Sequence, residues 1–549
     1  MKSMIKKVLL LAIASFALVA CNNAAKMAEL ADQVNIACNP EVLEVVAGNI
    51  DADVTVTFPA EYFYPKAILE VIPVIVYDGG EAVGAPFIYQ GEKVTQNYKT
   101  VSKNQPTSIT EHVNFKYVPG MEKSQLVARA KVVYKGTEYA FPSDIKIADG
   151  ANTTYMLVKQ SGAFTPKADN YQEVIPEELE AQVLYLINSS QVRNNQLTSA
   201  NVKDYQAGVT SAMNDERRTV KGTEIVAYAS PDGPEALNNK LSANRETSAA
   251  KAFQTISKKL ETGAVDTKSI GEDWEGFKEL VNASNIEDKD LILRVLSMYS
   301  DPAVREREIK NMSSVYKTLA NNVLPQLRRA RFITSVEYQN YTPDELTHLV
   351  NSNIDVLDEE ALLRAATLAN TSSAKLAIYK QAINKFNSAR AKFNSALVCL
   401  EDNNVAQARS FLGQLDSKDP DVANALGVCA LRDENYSDAA RYFATSTSKD
   451  ATLNQAVLDI LNGSYATAAQ KLAGSGSCNE ALAYILTNQL DKASNVLKDK
   501  TCTCSAYQRA IVAARKGYAS TAKEELQKAS SDAALAARAL KDIEFSTVK

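Results

Sequence analysis

The residues best equipped for chemistry lie between Ile225 and Ala250, in the run IVAYASPDGPEALNNKLSANRETSAA. Ile225 to Ala229 reads as a buried strand. Ser230-Pro231-Asp232-Gly233 reads as a tight turn, in which Pro231 pre-sets φ and Gly233 permits a conformation that other residues resist. The helix that follows carries Asn238, Leu241, Ser242 and Arg245 at three- and four-residue spacings, so they lie near one face. The planar fork of Arg245 suits a bidentate bond to a carboxylate, and backbone N–H groups at the helix start can help to hold one. With Asp232 as the opposite charge, this is chemistry for binding. Support for covalent chemistry is missing. The only histidines, His112 and His348, fall in different predicted domains, which makes a histidine base hard to build. There is no Ser-His-Asp order, no Gly-rich phosphate loop and no Cys/His spacing for zinc. A glycosidase-type pair of carboxylates stays open, because sequence spacing cannot reveal spatial pairs. The expectation is a protein with no enzymatic activity, no cofactor and no metal.

The elements that must position these residues belong to a chain of 549 residues, long enough for two to four domains. Its 60 basic and 65 acidic residues leave a net charge of −5 with both signs interspersed. That balance argues against nucleic acid as a partner. The N-terminus reads as a secretory signal over residues 1–20: Lys2, Lys6 and Lys7 precede a short apolar core from Val8 to Leu18. That core is too short for a stable transmembrane span. Leu18-Val19-Ala20-Cys21 resembles the bacterial lipobox. The resemblance implies cleavage before Cys21 and lipid on that cysteine, with acyl chains that anchor the protein in a membrane. Asn22 and Asn23 follow, without the aspartate or acidic run that in lipoproteins directs other destinations, so the periplasmic face of the outer membrane is expected. Of the other cysteines, Cys399 and Cys429 fall inside apolar helical patterns as buried thiols. Cys478, Cys502 and Cys504 lie in predicted interhelical turns, where an oxidising compartment permits a disulfide of Cys478 with Cys502 or with Cys504.

Taken in order, residues 21–33 read as a lipid-anchored tether and 34–160 as an all-β sandwich, with alternating runs at Val54 to Phe58 and Val113 to Tyr117. Pro73, inside the long run Ala67 to Tyr77, implies an edge strand or a bulge. Residues 161–176 read as a linker. The domain around the motif spans 177–340. Val183 to Ile187 reads as a central strand covered on both faces, and Leu327 to Ile333 as a closing strand entered through Arg328 and Arg329.

This strand–turn–Asn–Leu–Ser–Arg pattern resembles the peptidoglycan-binding domain at the C-terminus of outer-membrane protein A, over about a third of the chain. The β-α-β-α order with a closing strand matches that family's α/β sandwich, here with a helical insertion over 261–325, as in long versions resembling those of Bacteroidota lipoproteins. The resemblance implies a ligand, the peptidoglycan stem peptide, whose diaminopimelate carries an ammonium and a carboxylate. The family's helix arginine matches Arg245. Its turn aspartate does not match, because Ser230 holds that place; three alternatives stay open, a site that binds the wall weakly, one that takes its anion from Asp232 in a shifted turn, or one retained as a scaffold. Asn238 completes the turn, and Arg328 and Arg329 either line the ligand site, as matching arginines do in the family, or pair with carboxylates between strand and helix.

From 341 to 549 the chain is alanine-rich and helical, with a weak internal repeat. Leu426 and Gly427, then Tyr436, Ala439 and Phe443, resemble the tetratricopeptide signature of small and aromatic residues. Ala408, Ala468, Ala493 and Ala522 mark neighbouring units of an α-helical solenoid whose concave surface docks protein elements. The combined expectation is an outer-membrane-anchored periplasmic lipoprotein that binds peptidoglycan non-covalently and docks envelope proteins through its repeats. The alternative is a protein–protein scaffold of an assembly, secretion or fimbrial complex that holds no wall.

Overall fold

The computed structural model describes residues 23–548 except 287, with the side chains of 23 and 313–315 also outside the description. Cys21 and the signal lie outside the described residues. The described residues form two compact units, one of residues 23–167 with 392–548 and the other within residues 168–391. The second is therefore an insertion, in sequence, within the first.

In the first unit, eleven strands form one hydrogen-bonded, curled sheet, where the sequence suggests two separate layers. The reason is the short strand Val42–Val46. It pairs antiparallel with Asn49–Phe58 on one side and parallel with Ile145–Asn152 on the other, joining what are otherwise two faces. Ile68–Tyr77 is an inner strand, contrary to the edge or bulge that Pro73 suggests. One flank pairs continuously with Ser124–Tyr134. On the other flank the partner changes from Phe87–Gly91 to Gly80–Val83, and Pro73 falls in the gap, where no N–H is demanded. The core gathers Phe58, Phe63, Leu69, Tyr89 and Val132. The helix Asn23–Glu29 inserts Ala24 and Met27 into it, so most of the expected tether is folded onto the β region.

The helical part of this unit is a run of short antiparallel pairs, among them Pro420–Arg432 with Tyr436–Thr445, Lys449–Leu461 with Tyr465–Leu472, and Cys478–Leu486 with Leu490–Leu497. Ala408, Ala439, Ala468, Ala493 and Ala522 are buried in the second helices, where a small side chain lets backbones approach. Gly427 serves the same end: a Cβ there would meet the Phe443 ring at 2.4 Å. Tyr436 begins its helix, and the Asn435 side chain caps it by accepting from the Asp438 N–H. Leu426 is half-buried.

The second unit is built on a four-stranded sheet in the order Val174–Leu184, Arg329–Gln339, Arg218–Ala229, Ala264–Glu272. The last pairing is parallel and the others antiparallel. The helices Ala200–Met213 and Glu235–Ile256 pack on it through Val202, Val209, Ala249 and Phe253. Two differences from the sequence reading have physical causes. The first strand ends at Leu184 and alternates in exposure, so it is not buried on both faces, and Leu186 and Ile187 are exposed. Residues 264–272 form a strand inside the stretch read as helical, hidden because its residues are mostly exposed and show no apolar alternation. In Lys289–Met298 the buried residues are Ile292 and Leu296, which join a helical cluster with Phe277, Val281 and Leu319. The helices Pro343–Ser352, Glu359–Leu368 and Ser372–Phe386 belong to this unit, where the sequence reading places them with the repeats.

Candidate functional site

The array of helix pairs grips an extended segment of its own chain, residues 159–167. A side-chain amide carries one acceptor and one donor group, which match the C=O and N–H of a main chain lying in extended form. Asn454 Oδ1 accepts from the Ala163 N–H at 2.6 Å, and its Nδ2 donates to the Ala163 carbonyl at 2.8 Å. Asn424 Nδ2 donates to the same carbonyl at 2.9 Å, while Asn454 Nδ2 also donates to Asn424 Oδ1 at 2.8 Å. Asn394 brackets Lys167 with two bonds of 2.8 Å, and Asn479 brackets Lys159 in the same way at 2.8 Å. The clasped residues stand four apart, and the segment runs opposite in direction to the order of the repeats. Asn394, Asn424 and Asn454 are only 4%, 2% and 1% exposed. Their polar atoms are out of water, so the network holds the segment only because each of these groups is paired.

Side chains add selectivity to this backbone grip. The Lys167 ammonium bonds Asp421, lies 3.3 Å from Asp419, and rests 5.5 Å from the centre of the Phe393 ring. Thr165 donates to Asp450 at 2.7 Å. The Arg432 guanidinium donates to the Ser161 carbonyl, and Tyr436 to Gln160 at 3.3 Å. Gly162 takes φ +77° and lies so close to Val428 that a Cβ would stand 2.5 Å from that side chain. The repeat-signature residue Tyr436 thus touches the groove, while Gly427, Ala439 and Phe443 are buried in the helix pair behind it.

Just upstream, the β region is fastened to the end of the array. Glu544 accepts from Asn152 at 2.9 Å and from Thr154 at 2.7 Å, and is ion-paired with Arg515. Arg538 donates to the Thr153 carbonyl at 2.7 Å. Burial alone would raise the Glu544 carboxyl, but the Arg515 guanidinium and the hydrogen bonds from Thr154 and Asn152 prevail and hold it below the ordinary carboxylate range.

The residues singled out in the second unit occupy two neighbouring arrangements. Ser230, Asp232 and Arg328 form one cluster: Ser230 donates to Asp232 at 2.7 Å, and Arg328 donates to Asp232 at 3.0 Å and to Ser230 at 3.3 Å. Asn238 closes the turn by donating to the carbonyls of Ser230 and Gly233 at 3.2 and 3.0 Å, and to Glu272 at 2.9 Å. Arg245 lies beneath, fully buried, and donates to the carbonyls of Ser189, Tyr228 and Leu186 at 2.9, 2.8 and 3.3 Å. Its guanidinium stacks 4.9 Å from the centre of Tyr185, and burial holds its pKa down to about 10. Arg329 points elsewhere, pairing with the buried Asp273 at 2.8 Å. The buried face of this helix is therefore Asn238, Ser242, Arg245 and Ala249, while Leu237 is 51% exposed. His112 lies on the surface of the β region between Asp51 and Asp53.

The asparagine ladder escaped the sequence reading, although a signal was present. Asn394, Asn424 and Asn454 recur at a spacing of 30, each within an alanine-rich first helix. Polar residues that recur at the repeat period inside apolar helical faces need partners there, because a buried amide left unpaired is costly.

No protein-family model matches the chain, and no curated protein matches it. Among solved structures, a tetratricopeptide repeat protein from Parabacteroides merdae ATCC 43184 matches over 34% of this chain and 84% of its own, with 15% identity and a TM-score of 0.28.

Proposed function

We propose that this chain is a non-catalytic scaffold of the bacterial cell envelope, anchored through lipid on Cys21, whose repeat array holds extended polypeptide by its backbone. The observation that carries this reading is the ladder of Asn394, Asn424, Asn454 and Asn479 on the backbone of residues 159–167. Such a grip asks little of the side chains it meets, apart from a lysine opposite Asp419 and Asp421. In the free chain the linker fills the groove and unites the β region with the array. An envelope protein offering a similar extended segment docks by taking its place.

The test is a labelled peptide of residues 157–169, titrated by fluorescence anisotropy into a mature chain whose resident segment is weakened by Gly162→Val. Saturable binding that Asn454→Ala abolishes supports docking. Absence of binding makes the groove a permanent seat for the linker alone.

A second reading, that the central unit binds the peptidoglycan stem peptide, draws on the Ser230–Asp232–Arg328 cluster. It sets an anion beside a cation at the turn, which is what a zwitterionic diaminopimelate needs. The reading also draws on the family resemblance of the strand–turn–helix motif, although the unit carries the strand Ala264–Glu272 besides the β-α-β-α order and closing strand read from the sequence. In this reading Asp232 and Arg328 exchange their mutual bond for the ligand, and Arg245 sets the turn from below. Sedimentation of the mature chain with purified sacculi tests it. Wild type should pellet and Asp232→Asn should stay in solution; wild type in the supernatant leaves the scaffold without wall binding.

A further inference from the structure

The far end of the groove gathers three cysteines. Cys478 opens the helix Cys478–Leu486, Cys502 is the N-cap of Thr503–Arg515, and Cys504 sits in the first turn of that helix. Their Sγ atoms are separated by 3.0 Å (Cys502 to Cys504), 3.1 Å (Cys478 to Cys504) and 3.8 Å (Cys478 to Cys502). Each sulfur therefore lies within reach of the other two, and in the reduced chain the three can face one shared ligand. Helix N-termini favour the thiolate form that binds metals.

We propose that Cys478, Cys502 and Cys504 bind one soft, thiophilic cation, copper(I), as a three-thiolate site. The geometry needs little change. Metal–sulfur bonds of about 2.3 Å in a plane set the sulfurs about 4.0 Å apart. The Cys478–Cys502 edge is already close to that, and Cys504 alone has to withdraw. Among the described residues these three form the group of potential ligands, with no histidine or carboxylate beside them. Thiolates suit both copper(I) and zinc, but a structural zinc site takes four protein ligands, so a set of three favours copper(I). The Lys159 ammonium lies close enough to Cys504 to interact with it electrostatically, and it offsets part of the negative charge that three thiolates and a monovalent ion leave behind. Gln508 lies one turn beyond Cys504 on the same helix face. It is buried, its Nε2 donates to the Cys478 carbonyl at 3.0 Å, and its Oε1 has no hydrogen-bond partner. It ties the two helix starts together and leaves a polar atom beside the site.

The location gives the ion a consequence. Asn479, the rung that clasps Lys159, follows Cys478 directly, so an ion held here braces the last rung of the ladder.

The test uses the mature chain, reduced and kept under argon, titrated with copper(I) against bicinchoninate as competing chelator. The expected result is one copper(I) retained per chain, with thiolate-to-copper absorption. Cys502→Ser and Cys504→Ser should each weaken retention at least tenfold, while Cys399→Ser, a buried thiol outside the trio, should leave it unchanged. Thermal melts of each variant separate loss of the site from loss of the fold, and Cys504→Ala provides a second, apolar replacement. No retained copper after reduction, or equal retention when all three cysteines are replaced, overturns the proposal. Displacement of the copper by equimolar zinc(II) overturns the choice of ion.

Discussion

Asn454 satisfies both main-chain groups of Ala163, a residue 291 positions earlier, through its side-chain amide alone. Asn454→Ala leaves that N–H without its partner and strips Asn424 of a donor. The expected cost is about 1–3 kcal/mol, the range for buried polar groups left unpaired. Urea unfolding should show it, and limited proteolysis should cut within 159–167 faster than in wild type. Asn454→Asp keeps the acceptor and loses the donor, so its effect should include repulsion at the Ala163 carbonyl.

Gly162 and Gly136 share a backbone φ of +77°, but only Gly162 faces an obstacle, the Val428 side chain. Gly136→Ala should therefore cost about 1 kcal/mol from backbone strain alone. Gly162→Ala should cost more by about 1–3 kcal/mol of overpacking. Combining it with Val428→Ala should recover part of the difference, because the two sites share one contact. Thermal melts of these three variants, with Val428→Ala alone as the fourth, decide this.

Arg245 and Arg328 should separate on mutation. Arg245→Ala abandons three carbonyls in the interior and should destabilise the chain by at least about 3 kcal/mol. Arg328→Gln breaks a largely buried ion pair with Asp232 but keeps a hydrogen-bonding amide, and should cost about 1–3 kcal/mol, less than Arg245→Ala. If the turn cluster binds the wall, Arg328→Gln should lose sedimentation with sacculi while remaining folded, with a cooperative melt above the assay temperature. A loss seen only with Arg245→Ala reports misfolding.

Glu544 makes the junction of β region and array sensitive to acid. Its carboxyl is held below its ordinary value in the folded chain. It therefore contributes stability that is fully present above the unfolded value, about 4.3, and is lost as pH falls through the folded one. Asp542, pushed up by burial, works in the opposite sense. Comparing melting temperature against pH for wild type and Glu544→Gln isolates the first effect. The variant should melt lower at pH 7, and its curve should fall less steeply below about pH 4.5.

What the amino-acid sequence by itself determined is local. The turn at Ser230 to Gly233, the helix after it, and the small-residue helix pairs around Gly427 and Ala439 follow from periodicity and turn chemistry, whose physics reaches only a few residues along the chain. Strand Ala264–Glu272 was hidden because pairing with Arg218–Ala229, rather than an apolar pattern, makes it a strand. Tertiary structure alone decided the rest. It turned Arg245 inward onto main-chain carbonyls, folded the expected tether helix onto the β core, and laid residues 159–167 across asparagines that lie 227 to 320 positions away. It also brought Cys478 to within reach of Cys504. Contacts at such separations depend on how the helices stack. Composition leaves a trace of them only where a polar residue repeats with the array, as asparagine does at 394, 424 and 454.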